Sequence, residues 1–187
     1  MIRNELKELD ELSLWNLMTQ GHEQALELLY AKYYDSLYYY GQKYSRDTSL
    51  IEDCVQDVFV AVFNNSRLKS VHHVQAYLLR SLRNLLFKQL SLQPHCTLEE
   101  LAFDISIEDT QLTTLFQNDD ESLQVSKNLM NAYRSLTENQ KNAIYLRYVK
   151  EMSYQEIADV LEVNAQSAQN AVSRTLAKLK SMMLLFI

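Results

Sequence analysis

The chain has 187 residues, 47% apolar and 22% charged, with two glycines, one proline, twelve tyrosines and a formal net charge of -6. This length holds one ordinary domain or two small ones and excludes a large enzyme. So little glycine and proline leaves few residues for tight β-turns or phosphate-cradling loops, so an all-α fold of helices joined by polar connections is expected. No apolar run reaches the roughly 18 residues of a bilayer span, and MIRNELKELDEL at the start is acidic and amphipathic, unlike a signal peptide, so direct membrane insertion is not expected.

A first helix is expected over residues 5–19, with Gly21 as a break before a long helix from His22 to Tyr44. Leu26, Leu29, Tyr30, Tyr33, Leu37 and Tyr40 recur there at three- and four-residue steps, which reads as a core stripe. Ser49 and Glu52 form a capping-box pattern that opens IEDCVQDVFVAVF. Val55, Val58, Phe59 and Val62 fall on one side of that helix, and Asp53, Gln56 and Asp57 on the other. A fourth helix over about 71–91 buries Val74, Leu78, Leu82 and Leu85. Its opposite side carries His73, Tyr77, Arg80, Asn84 and Lys88 in one expected solvent-facing row.

The charge is unevenly distributed. Residues 1–90 hold ten Lys/Arg against eleven Asp/Glu; residues 91–125 hold eight acids and no Lys or Arg; residues 126–187 hold eight Lys/Arg against five acids. Residues 67–90 contain Arg67, Lys69, Arg80, Arg83 and Lys88 and no acid. An acidic connector therefore joins two segments with basic surfaces, and the net negative charge does not exclude local nucleic-acid binding. The connector, with Pro94 and weak periodicity, reads as a linker, although Thr97 with Glu100 and Ser106 with Asp109 could cap short helices in it.

Beyond the linker, Thr137 with Gln140 caps a helix to about Lys150, Ser153 with Glu156 caps a second to about Leu161, and Asn164 caps a last one to about Met183. Two helices joined by a three-residue turn make a helix-turn-helix pattern, with an expected core of Ile157, Ala158, Leu161, Val163, Ala168, Val172, Leu176 and Leu179. Gln166, Ser167, Gln169, Asn170, Ser173 and Arg174 are left for solvent. Amides suit adenine edges in the major groove, and a guanidinium suits guanine or phosphate.

IEDCVQDVFVAVF (residues 51–63) and LTENQKNAIYLRYVKEMSYQEIADVLEVNAQSAQNAVSRTLAKLK (residues 136–180) give the chain its resemblance to a bacterial RNA polymerase sigma factor of the extracytoplasmic-function type, which keeps regions two and four only. The resemblance implies a region-two bundle over residues 1–90, an acidic linker over 91–125 and a region-four helix-turn-helix domain over 126–187. Core RNA polymerase and promoter DNA would be the partners, and an anti-sigma protein would suit the apolar helices. The location would be cytoplasmic, with no small-molecule substrate, cofactor or catalytic residue. Position by position, Asp53, Gln56 and Asp57 match the polymerase-binding face. Lys69, His72, His73, Tyr77, Arg80, Arg83, Asn84 and Lys88 match the part that grips and opens the minus-10 element. Asn164, Gln166, Ser167, Gln169, Asn170, Ser173, Arg174 and Lys178 match the minus-35 reader. Cations on the backbone and bases stacked on rings, at about 1–3 kcal/mol each, can offset the cost of unstacking a duplex.

The recognition helix departs from the family pattern in having Gln169, Asn170 and Ala171 where a basic run is usual, and Glu162 stands at a turn position usually given to glycine. Amides in place of cations point to an adenine-bearing minus-35 element. Thirty-five extended linker residues reach at most about 115 Å, against roughly 70 Å for two DNA turns, so both domains could sit on one promoter. Cys54 and Cys96 read as free thiols, and His95 beside Cys96 is a poor metal pair, so no metal is expected. The competing reading is an autonomous dimeric helix-turn-helix regulator with an N-terminal sensor, which would need a ligand pocket or dimer face in the first 90 residues.

Overall fold

The structure is a computed structural model that describes Leu6 and residues 8–65, 71–92 and 131–184. The chain divides into two compact units between Phe103 and Asp104. Every regular element among the described residues is helical.

In the first unit, the helix expected over 5–19 is interrupted: Leu6 is helical, residues 8–10 are not, and α1 (Glu11–Thr19) starts where the Asp10 carboxylate accepts a hydrogen bond from the Ser13 amide at 2.7 Å. That bond also holds the Asp10 pKa below its ordinary value. Trp15 and Met18 are fully buried, and Gly21, at φ +92°, supplies the left-handed step after the helix.

α2 (Glu23–Gly41) buries Ala25, Leu29, Tyr33, Leu37 and Tyr40, a stripe at three- and four-residue spacing. The tyrosines do not all belong to it: Tyr30, Tyr34 and Tyr38 stand half-buried, and Tyr39 is exposed. α3 (Thr48–Phe63) is capped by Asp47, whose carboxylate accepts from the Leu50 amide at 3.1 Å, so the expected Ser49 cap lies inside the helix instead. Val55, Val58, Phe59 and Val62 are buried as expected, together with Ile51 and Cys54. α4 (Val74–Ser91) buries Val74, Leu78, Leu79, Leu82, Leu86 and Leu90. Leu85 is only half-buried, because the seam drifts at 3.6 residues per turn and reaches Leu86 after Leu82.

α2 and α3 pack tightly at Gly41, where an added Cβ would lie 2.6 Å from Cγ2 of the fully buried Ile51. A branched side chain in a closed core cannot swing aside, so Gly41→Ala is expected to cost about 1–3 kcal/mol. Thermal unfolding of this variant checks it, and an unchanged melting temperature would contradict the packing described.

In the second unit, residues 131–134 are helical and α5 (Glu138–Ile144) follows, opened by the expected capping box. The Thr137 amide donates to Oε1 of Gln140 at 3.0 Å, and the Gln140 amide donates to the Thr137 hydroxyl at 3.4 Å. The helix continues as a π-turn over Tyr145–Val149, reaching Lys150 as expected. Arg147 closes the loop by donating to the Met152 carbonyl at 2.7 Å while its guanidinium lies 4.9 Å from the centre of the Tyr154 ring.

α6 (Tyr154–Leu161) has the expected Ser153–Glu156 capping box and ends at Glu162, which adopts the left-handed conformation at φ 57°. α7 (Ala165–Leu184) is capped by Asn164, whose Oδ1 accepts from the Ser167 amide at 2.7 Å. The core between α6 and α7 is Ile157, Ala158, Val160, Ala168, Val172, Thr175 and Leu179. Leu161 is half-buried, and Val163 and Leu176, expected inside, are exposed. The α7 seam runs 168, 172, 175, 179, which puts Thr175 in the place assigned to Leu176, and the Thr175 hydroxyl is satisfied by the Ala171 carbonyl at 2.7 Å.

Candidate functional site

Three surfaces carry the residues singled out above, two on the first unit and one on the second. On α3, burying the Val55, Val58, Phe59 and Val62 side turns Asp53, Gln56 and Asp57 outward, and all three are exposed. Their field is felt beneath them. Burial first, then the charges of Asp57 and Asp53, push the Cys54 thiol from 9.0 up to about 11. The folded state therefore holds this proton more tightly than the unfolded chain. The resulting stabilisation is complete below pH 9 and is lost as pH rises through about 11. In a Cys96→Ser background, Cys54 is expected to resist alkylation at pH 8 in the folded protein and to react promptly in denaturant. Rapid labelling of the folded protein would contradict its burial.

α4 presents Arg80, Asn84 and Lys88 at four-residue steps, all exposed. His72, just ahead of the helix, is exposed and His73 is half-buried. The expected solvent row is narrower at its start than the spacing suggested. Tyr77 is half-buried, edge-on to Trp15 at 5.3 Å and 72°. Phe87 meets Tyr44 edge-on at 5.5 Å, and the Arg83 guanidinium lies 4.9 Å from its ring centre. These rings and Arg83 are therefore engaged within the unit, which leaves His72 as the most open ring of the set. Lys69 lies outside the described residues.

On α7, Gln166, Ser167, Gln169, Asn170, Ser173 and Arg174 are all exposed, and Asn164 joins them at the cap. Nε2 of Gln166 donates to Oδ1 of Asn170 at 3.1 Å, one helical turn apart. Lys178 differs from the rest: it is half-buried, and its ammonium donates to the Ser135 carbonyl at 3.1 Å.

A fourth feature was not singled out from the sequence. Tyr30, Tyr34, Tyr38 and Tyr39 form a ladder of rings along the outer side of α2, with centroids 5.4, 6.0 and 5.9 Å apart. The signal was present as tyrosines four residues apart, but the interleaved core tyrosines masked it. Among the described residues, no cluster of three or more His, Cys, Asp or Glu could hold a metal, and no helix is long and apolar enough to cross a membrane. His95, Cys96 and the proposed linker over 91–125 lie outside the described residues, apart from Ser91 and Leu92.

The family model for Sigma-70 region 2 matches residues 29–93, and that for Sigma-70, region 4 matches residues 126–179. A curated relative, the ECF RNA polymerase sigma factor SigM of Bacillus subtilis (strain 168), is 20% identical over 161 residues, covering 84% of this chain and 94% of that protein. The solved structure of CnrH in complex with the cytosolic domain of CnrY is similar in fold, with a TM-score of 0.60 and 20% identity over 92% of this chain and 96% of that one. The chain belongs to the sigma-70 family as an RNA polymerase sigma factor of the extracytoplasmic-function type, with regions two and four. It binds core RNA polymerase and directs sequence-specific promoter recognition and transcription initiation.

Proposed function

We propose that the three surfaces divide the work of a sigma factor among named residues. Asp53, Gln56 and Asp57 of α3 dock on core polymerase. The α4 row Arg80, Asn84 and Lys88, with Lys69, His72, His73, Tyr77 and Arg83, holds and opens the minus-10 element. Asn164, Gln166, Ser167, Gln169, Asn170, Ser173 and Arg174 read the minus-35 element in the major groove, with Lys178 at the edge of the set.

The observation that carries this division is that an acidic helix face and a cationic helix row occur together within the region-two match, while the amide face lies within the region-four match. The one cation among the exposed residues of the α7 reading set is Arg174, which favours recognition through amides, hence an adenine-bearing minus-35 element, over phosphate attraction. Edge-on engagement of Tyr77 and Phe87 leaves few open rings for extruded bases, so promoter melting by this subunit is modest.

The domains are residues 1–90 and 126–187, with 91–125 as the tether that lets both reach one promoter. The subunit works in the cytoplasm, where transcription takes place, and carries out no catalysis of its own. An anti-sigma protein is a fitting partner, since CnrH, similar in fold, was solved in complex with the cytosolic domain of CnrY.

Selection of promoter sequences by holoenzyme, followed by run-off transcription, tests the assignment. Asn170→Ala with Gln169→Ala is expected to relax the upstream preference, and Arg80→Ala with Lys88→Ala to lower open-complex formation on every promoter alike. No upstream enrichment, or enrichment of G·C pairs alone, would refute the adenine reading.

A further inference from the structure

The turns on either side of α6 are built alike. Among the described residues, Glu151 and Glu162 are the only non-glycine residues with a left-handed backbone, at φ 54° and 57°. Each follows a helical segment and stands two residues ahead of the next cap: Glu151, Met152, Ser153 before α6, and Glu162, Val163, Asn164 before α7. The Met152 amide donates to the Leu146 carbonyl and the Val163 amide to the Ala158 carbonyl, each at 3.0 Å, so backbone bonds hold both turns. This conformation suits glycine or asparagine and disfavours a side chain such as glutamate's. A carboxylate is also badly placed after a helix C-terminus, where the last carbonyls already gather negative charge. Local backbone physics thus argues against glutamate at both turns, yet both carry it, and both glutamates are exposed.

The surrounding charge has the same sign. Residues 151–164 hold Glu151, Glu156, Asp159 and Glu162 and no Lys or Arg. In a helix-turn-helix the first helix crosses the DNA backbone, and the N-terminal part of the second enters the groove. Both glutamates therefore sit just ahead of the helix ends that meet the duplex. The start of α6 is also a poor phosphate site, because Oε2 of Glu156 already accepts from the Ser153 amide at 2.8 Å. Two cations of this unit are turned onto its own backbone, Arg147 onto the Met152 carbonyl and Lys178 onto the Ser135 carbonyl. Phosphate attraction is weak on this surface, and phosphate repulsion is fixed at its two turns.

We propose that Glu151 and Glu162 are selectivity residues of the minus-35 reader: their carboxylates, set at the two turns flanking α6, repel DNA phosphates and confine the domain to duplex whose bases satisfy the α7 amides. Repulsion from the backbone weakens binding to every sequence, and base contacts restore it at the right one alone, so the ratio between the two rises. The proposal rests on the reading of α7 as the recognition helix and deepens it.

The test compares Glu151→Asn/Glu162→Asn with Glu151→Asp/Glu162→Asp in the full chain. Asparagine and aspartate both tolerate the left-handed region, so the two pairs keep the turns and differ in charge alone. Titrated at low salt with a duplex of scrambled promoter sequence, the Asn pair is expected to bind about fivefold more tightly than the original protein, and the gain to fade as salt rises. The Asp pair is expected to stay within about twofold. Promoter selection by holoenzyme carrying the Asn pair should show weaker upstream enrichment. Equal gains in the two pairs would assign the effect to the backbone and overturn the proposal, as would no gain in either, or a gain that persists at high salt. Gln169→Ala/Asn170→Ala separates the two readings. If that pair keeps the full upstream preference, the reading of α7 fails and takes this proposal with it; if it loses the preference while the Asn and Asp pairs bind alike, the glutamates alone are overturned.

Discussion

Asp53→Lys/Asp57→Lys is expected to weaken binding to core RNA polymerase by at least about 30-fold, or about 2 kcal/mol, the scale of an interface hot spot. Both side chains are exposed, one turn apart on α3. Reversing them replaces two attractive contacts with two repulsive ones and leaves the core of the unit alone. The thermal midpoint is therefore expected to stay within about a degree or two, and the loss should shrink as salt rises, because screening weakens attraction and repulsion together. The Cys54 thiol offers an internal check: with the two carboxylates gone, part of what raises its pKa is removed and it titrates earlier. Unchanged affinity in a folded double variant would remove α3 from the docking surface.

Phe59→Ala is expected to destabilise the first unit by about 3–5 kcal/mol, a large share of the roughly 5–15 kcal/mol that holds a small domain folded. Phe59 is 2% exposed, deep between α2 and α3, and its ring supports Tyr30 at 5.0 Å. The cavity left behind would cost stability and loosen the base of the tyrosine ladder together. The chain's single tryptophan, Trp15, is fully buried in this same unit, so its emission during denaturant unfolding reports on this unit. A midpoint close to that of the unaltered protein would show that Phe59 is not a core residue.

Helix order, caps and core faces could be read from the sequence wherever one local signal had no rival. Thr137 with Gln140 and Ser153 with Glu156 form the boxes their spacing announces, and Asn164 caps α7. Where two signals competed, the outcome depended on tertiary packing. Ser49 was the expected cap of α3, but the Asp47 carboxylate, two residues earlier, accepts from the Leu50 amide and starts the helix there. Leu176 and Thr175 are neighbours on the edge of the α7 seam. The phase set by Ala168 and Val172 buries the polar one, because its hydroxyl can bond the Ala171 carbonyl.

The same limit applies to the site residues. Alternation of buried and exposed positions revealed the acids of α3 and the amides of α7, since each lies opposite a clear apolar stripe. Spacing alone could not show that Trp15 would reach Tyr77, that Phe87 would be pinned between Tyr44 and Arg83, or that Lys178 would turn back to Ser135. Those contacts join positions distant in the chain, or depend on which of several long side chains finds a partner first. Tyrosine, equally at home in a core and on a surface, hid the outer ladder of α2 among the buried rings.

One titration decides between a dissociable polymerase subunit and a DNA-binding regulator that acts alone. Fluorescently labelled protein would be titrated with core RNA polymerase at moderate salt, and separately with duplex DNA carrying a selected promoter. Tight saturable binding to core, with weak binding to the duplex until core is added, is the predicted result. Tight, sequence-specific binding to the duplex by the protein alone, with no affinity for core, would contradict the assignment.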